Sequence, residues 1–293
     1  MTISPYKNLV KRINKKRPTS EPARHARRAF QNTGKINFSL SNTILFITLL
    51  FLFLPLFFII FYSFNESKGA DFTGFSLIWY KKLIFESGNL WLSLYNSLIV
   101  ALSSAAVSTV LGTLAAIGIN WYKFKGRIYI QTISFLPMVL PEVIIGVSML
   151  IFFSGIKLPL GLFSIFVAHT TFCLPFVYLM VSARIDEFDY SIVEAAHDLG
   201  ATDKQTMFKV IVPAIMPGII SGFMMAITMS LEDFVITFFV SGPGSTTLPL
   251  YVYSMIRFGV SPVINALSFV MILFTVVLAF SLRKFLKTIA ASK

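Results

Sequence analysis

Polar and charged residues fall in short clusters along this chain, separated by apolar stretches too long for ordinary globular core helices. The first stretch, Thr43 to Phe64, carries no charge over 22 residues, more than the ~20 a helix needs to cross a bilayer. It is too long for the core of a signal peptide and no small-x-small cleavage site follows it, so it predicts a retained span. Five further spans follow, at about 94–120, 127–153, 162–182, 214–240 and 263–282. In the second, Ser108, Gly112 and Ala116 repeat small side chains at a spacing that lets helices approach closely. Pro137 and Pro141 predict a kink in the third, and Pro175 an interruption in the fourth. The expected fold class is an all-α membrane protein with six transmembrane helices over residues 43–287. Residues 288–293 are expected to form a short C-terminal tail.

The segment 184–213, between spans four and five, breaks the rhythm and reads as a soluble insert. Ser191 and Glu194 have the spacing of a capping box. Ile192, Ala195, Ala196 and Leu199 fall at i, i+3, i+4 and i+7, and so share one helix face. Gly200 can adopt the left-handed conformation that ends such a helix. Thr202 and Gln205 repeat the box, and Met207, Phe208, Ile211 and Val212 form a second apolar face before Pro213. The pattern predicts two short helices meeting at a bend. Glu194 and Gly200 are also explained if they merely cap and end a helix.

Composition agrees with the pattern: 56% of the 293 residues are hydrophobic and mean hydropathy is +0.77. Soluble domains of this length seldom reach such values. Cys173 stands alone, so the chain can form no internal disulfide. The net charge of +12 could suggest nucleic acid, but no binding motif or aromatic interleaving accompanies it. Its distribution instead follows topology. Residues 1–42 carry ten Lys or Arg against one acid, Glu21, with Pro5, Pro18 and Pro22, and read as a disordered basic tail. With both termini on one side, that side holds twenty Lys and Arg: ten in the tail, three between spans two and three, three in the insert and four at the C-terminus. The other side holds five. The positive-inside bias makes the twenty-residue side cytoplasmic, and with it the insert.

Candidate chemistry is sparse. There is no phosphate-binding Gly-x-x-x-x-Gly-Lys-Ser/Thr loop, and His25, His169 and His197 are too scattered for a metal cluster. No His-Glu-x-x-His or Gly-x-Ser-x-Gly occurs, so the chain is not expected to be an enzyme or to hold a cofactor. The sharper signals are acids within apolar runs, which cost ~2.5–3.5 kcal/mol at a span's centre on insertion scales. These are Glu232 and Asp233 in the fifth run and Glu142 after Pro141 in the third. They could line a path for a cation or pair with polar groups between helices. Adjacent residues point about 100° apart on a helix, so Glu232 and Asp233 are not expected to face the same cavity. His169 reads as a hydrogen-bonded packing histidine. The turn-rich segment Ser241 to Pro249 reads either as a contact for a delivery protein or as a connecting loop.

Glu194-Ala195-Ala196, three residues, Gly200, nine residues, then Val210-Ile211-Val212-Pro213 resembles the EAA motif of permease subunits of binding-protein-dependent ABC importers. Two valines stand where that motif has Ile and Leu. The resemblance implies that Glu194, Ala195, Ala196, Gly200, Val210, Val212 and Pro213 form a coupling helix seated in a cytoplasmic ATPase dimer. ATP and Mg would then be bound by that partner and not by this chain. Further matches are Leu231 to Ile236, Ser241-Gly242-Pro243-Gly244 through Thr247-Leu248-Pro249, and Ser261-Pro262 with Ile264 to Leu267. These, with Pro141-Glu142, look like polyamine importer permeases, and Ala168-His169 with Thr171-Phe172-Cys173 looks like the putrescine-type second permease. The long basic tail departs from that family. The resemblance implies a bacterial inner-membrane protein with cytoplasmic termini, paired with a second permease and an extracytoplasmic binding protein. Rival readings are a related permease for an oxyanion, metal ion or phosphonate, and an ion-driven transporter using the buried acids as proton carriers.

Overall fold

A backbone crossing hydrocarbon must satisfy its own hydrogen bonds, and this chain does so with helices. The structure, a computed structural model, describes residues 40–68, 71–121, 124–257 and 262–291. The expected basic tail, as far as residue 39, and Ser261 lie outside them. The helices are α1 (Leu40–Tyr62), α2 (Ile78–Phe85), α3 (Gly88–Trp121), α4 (Arg127–Val139), α5 (Glu142–Gly155), α6 (Leu162–Asp186), α7 (Ser191–Asp198), α8 (Asp203–Glu232), α9 (Val235–Val240), α10 (Leu248–Arg257) and α11 (Pro262–Ala291). Among the described residues the only β pairing is an isolated bridge between Asn65 and Phe75. Among the described residues, 40–58 form one unit and those from Ile59 a second.

Four helices, α1, α3, α6 and α8, are long and apolar enough to cross a bilayer, and the bent pair α4–α5 would make a fifth. In α11 the stretch Pro262–Val277 is apolar but shorter. That helix continues to Ala291, past the expected span end at 282 and into the segment read as a tail. None of the residues of α1 is buried.

The core of the second unit is built by α3, α6 and α8. Lipid tails are as apolar as leucine, so helices in a membrane are held chiefly by close van der Waals contact and polar bonds. Small residues provide that approach here. A Cβ added to Gly112 of α3 would lie 2.8 Å from Val177 Cγ1 of α6, and one added to Gly222 of α8 would lie 3.1 Å from the same atom. Ser108 and Ala116, the other members of the expected stripe, are fully buried. Gly112→Val is therefore expected to overpack the contact at ~1–3 kcal/mol and lower the melting temperature in detergent. Gly118→Ala, where a Cβ meets nothing within 4 Å, should leave it unchanged or slightly raised. Equal losses from both would remove close approach as the cause.

Three expected features differ. The run 127–153 is bent far more sharply than a kinked helix: α4 and α5 meet at 110°. Leu140, pushed out of the helical region by the proline that follows, is extended (ψ 140°), and so is Pro141 (ψ 134°). Two consecutive extended residues turn a kink into an elbow. Pro175, by contrast, sits buried inside an unbroken α6. The run 214–240 breaks after Glu232: Asp233 is extended (ψ 122°) and α9 starts afresh at Val235. The 21 residues from Val212 to Glu232 span ~32 Å, about a full hydrocarbon thickness. Glu232 and Asp233 thus stand a bilayer core away from Val212, at the end of a span and not at its centre.

Candidate functional site

Two places carry the residues singled out by sequence. The first is α7, a short helix between the ends of α6 and α8. Trp121, closing α3, packs its ring on Phe188 and Tyr190, which lead into α7 (5.5 Å to the Tyr190 ring). Asn120 Nδ2 donates to Ser182 Oγ at 2.9 Å on the same level. The Ser191–Glu194 box does not form. Instead Ser191 N–H donates to Asp189 Oδ1 at 3.0 Å, and that bond holds the Asp189 carboxyl below the ordinary carboxylate range.

At the far end of α7, Gly200 has φ +83°. Its N–H donates to His197 O at 2.8 Å, and Ala201 N–H donates to Ala196 O at 3.0 Å, the two bonds of a Schellman motif. The second box forms: Thr202 N–H donates to Gln205 Oε1 at 2.9 Å, and Gln205 N–H reaches Thr202 Oγ1 at 3.4 Å. The second helix of the expected pair does not stop at Pro213, however. A π turn, Met207–Ile211, carries it directly into the long part of α8. A wider turn there absorbs the amide and the space that Pro213 denies the helix.

One face of α7 points away from the other described residues. Leu199 is 89% and Ile192 48% exposed. Glu194 and Ala195 are exposed, Ala196 is half-buried, and Val193 turns inward to the core. Val210 and Val212 are half-buried and Pro213 is exposed. Ile192, Ala195 and Leu199, apolar residues at helical spacing, are thus left uncovered by the described residues.

The second place is the break between α8 and α9, where the sequence pattern and the structure differ most. Asp233 ends one helix and starts the next: Oδ1 accepts from Ile236 N–H at 3.2 Å, and Oδ2 from Thr237 N–H and Thr237 Oγ1, both at 2.8 Å. His169 of α6 brings Nε2 to 3.1 Å from Asp233 Oδ2 and 2.9 Å from Thr237 Oγ1, while Nδ1 lies 2.7 Å from Ser230 Oγ. Ser104 of α3 extends the chain of contacts to Ser230 at 3.3 Å. Ser230, His169 and Asp233 are the residue types of a hydrolase triad, but all three are buried and their polar atoms are engaged with one another. The arrangement is a clamp that joins α3, α6, α8 and α9. Sequence reading assigned His169 to packing and left Ser230 and Thr237 out. Their positions at i−3 and i+4 from Asp233 were the available signal.

Glu232, one residue earlier, is exposed, and Glu142 is exposed in the first turn of α5 beside the elbow, where the helix dipole favours a carboxylate. Between α4, α5 and α6 lies a cavity of about 520 Å³, walled by Leu136, Pro137, Met149, Phe153 and Phe172 among others. No carboxylate lines it, so it offers a cation no ion pair. The turn at Ser241–Pro249 is fastened into the fold: Asn96 Nδ2 donates to Thr246 O at 3.0 Å, and Ser97 Oγ accepts from Leu248 N–H at 2.8 Å.

Bilayer-length helices packed through small-residue seams, with a short outward-facing helix between two of them, define a multi-pass membrane protein. Residues 108–291 match the binding-protein-dependent transport system inner membrane component, and the chain belongs to that family of multi-pass inner-membrane proteins. It is 35% identical over 242 residues to the spermidine/putrescine transport system permease protein PotC of Haemophilus influenzae, covering 82% of this chain and 94% of that one. It is 40% identical over 233 residues to the putrescine transport system permease protein PotI of Escherichia coli K12, covering 77% and 83%. Its fold is also similar to a chain of a bacterial ABC transporter involved in the import of the acidic polysaccharide alginate, at TM-score 0.65 and 16% identity over 84% of this chain and 94% of that one.

Proposed function

We propose that this chain is one of two permease subunits of an ATP-driven polyamine importer, with putrescine as the preferred cargo over spermidine. The carrying observation is α7: a rigidly terminated helix whose Ile192, Glu194, Ala195 and Leu199 face outward, as a helix seated in a partner would need. That partner is a cytoplasmic ATPase dimer, and an extracytoplasmic binding protein delivers the substrate. The topology is six spans with both termini cytoplasmic, α4–α5 and α11 completing the four long helices. The similarity to PotC and PotI supports the cargo.

ATP closes the ATPase dimer and draws the α7 helices of the two permeases together. The π turn keeps α8 continuous from Asp203 to Glu232, so displacement at its start beside Thr202 passes along one helix to the break at Asp233. There Glu232 is the acid left open to a passing ammonium group, with Glu142 a second candidate. Asp233 shapes the path by holding α9. Weak, separate carboxylates suit a path that must release its cation.

Uptake of labelled putrescine by proteoliposomes holding the complete transporter tests the reading. Competition by spermidine but not by phosphonates or oxyanions is the expected result, and dependence on an ion gradient without ATP would refute it. In the same assay Glu232→Gln should raise the KM for putrescine by about tenfold, the ~1.4 kcal/mol of one exposed charge-assisted contact, without changing the melting temperature. An unchanged KM removes Glu232 from the path.

A further inference from the structure

Between α1 and α3 the chain folds a fastened hairpin whose outward face, apart from the Phe75 ring stacked on Phe64 at 5.0 Å, is left uncovered by the described residues. Asn65 pins the turn, accepting from Thr73 N–H at 3.0 Å and donating to Asp71 O at 2.9 Å. The short helix α2 is then tied down on three sides. Trp79 Nε1–H donates to Asn65 O at 2.6 Å, Tyr80 Oη lies 2.6 Å from Ser63 Oγ, and Trp91 Nε1–H of α3 donates to Leu83 O at 2.8 Å. Trp79 and Leu83 are buried in an apolar cluster with Leu90, Leu248, Val263 and Leu267, and the Tyr80 ring meets Phe269 of α11 edge-on. So α2 is held where α3, α10 and α11 begin, at the end of α3 opposite Trp121 and α7.

Stepping 100° per residue, Ile84, Lys81, Phe85, Ile78 and Lys82 follow one another around the remaining side of α2. Phe85 is 77%, Ile84 60% and Ile78 42% exposed, and Phe75 of the turn is 70% exposed. Lys81 is exposed, and Lys82 lies with Nζ 5.1 Å from the centre of the Trp79 ring.

We infer that this face is a lipid anchor: Phe75, Ile84 and Phe85 enter the acyl boundary of the leaflet opposite α7, and Lys81 and Lys82 reach back to lipid phosphates. Three observations on α2 carry it. Its height is fixed by bonds to the ends of bilayer-crossing helices, only two residues before α3 begins, which places the face where hydrocarbon gives way to headgroups. Apolar side chains interleaved with lysines, and no acid within α2, match an interfacial helix, whose lysine stems lie along apolar surface while the ammonium groups stay wet. A protein partner fits the face less well, because lysine is depleted from the cores of protein interfaces. The inference rests on the membrane-spanning class and not on the cargo or the ATPase proposed above.

The test places a nitroxide at Phe85→Cys, Phe75→Cys or Lys68→Cys in a Cys173→Ala background, in the full-length chain with its co-purifying subunits in phospholipid nanodiscs. Collision with oxygen is compared with collision with a water-soluble nickel chelate. Oxygen should win at 75 and 85, and nickel at 68. Nickel winning at 85 would mean a wet surface, and low access to both would mean a protein cover; either overturns the anchor. Charge reversal at Lys81 and Lys82 to Glu should lower the oxygen-to-nickel ratio at 85 in anionic lipid, and an unchanged ratio would remove the phosphate contact. Substrate uptake is not read, so the anchor and the transport reading fail independently.

Discussion

Gly200→Pro should abolish ATP-driven uptake while the chain still inserts into the membrane. At φ +83° Gly200 turns the chain from α7 into the start of α8, and its N–H closes one of the two bonds that end α7. Proline fixes φ near −65° and has no N–H, so it can neither make the turn nor the bond. Alanine at the same place costs ~1–2 kcal/mol for the left-handed conformation alone, since nothing lies within 4 Å of an added Cβ. A graded series is expected: partial loss for Gly200→Ala, and for Gly200→Pro a fall of at least about tenfold, equal to ~1.4 kcal/mol of coupling. Glu194→Lys, which reverses an exposed charge without disturbing the fold, should fall with it. The partner's ATP hydrolysis, measured in the same vesicles, should continue but no longer respond to the loaded binding protein. Full uptake by Gly200→Pro would remove α7 from power transmission.

The second large effect is expected at Asp233→Asn, a change of one atom. Both carboxylate oxygens accept: Oδ1 from Ile236 N–H, Oδ2 from Thr237 N–H, Thr237 Oγ1 and His169 Nε2. An asparagine has one acceptor, and its NH₂ must then face donors. Leaving buried donors unmatched costs ~1–3 kcal/mol. The melting temperature in detergent should drop, and transport should fall for every cargo because α9 loses its cap. Glu232→Gln next to it should do the reverse, weakening putrescine recognition and sparing stability. If Asp233→Asn keeps both its melting temperature and uptake, the clamp is not what holds the break.

The contrast between those two neighbours shows how far sequence reaches in this chain. Apolar runs longer than a bilayer core announced helices wherever they occurred, because a backbone in lipid has no other way to bond itself. The stripe Ser108, Gly112, Ala116 announced a helix seam, and Thr202 with Gln205 announced a helix start, since both depend only on residues within two turns. The length of each helix was less legible. Pro175 and Pro137–Pro141 look alike in the sequence, yet one leaves α6 whole and the other bends the chain by 110°. A proline inside a packed helix is tolerated where neighbours hold it, whereas Leu140 and Pro141, both extended, could not resume the same axis.

By itself, then, the order of residues determined that this is a helical membrane protein with a more polar stretch between two of its apolar runs, because those properties are local and additive. Which acid is sealed and which is open, that His169 reaches Asp233 across 64 positions, and that the α7 face is left uncovered by the described residues were decided only when α3, α6 and α8 packed. Burial and pairing are properties of neighbours brought together from distant parts of the chain, and no periodicity within one run encodes them.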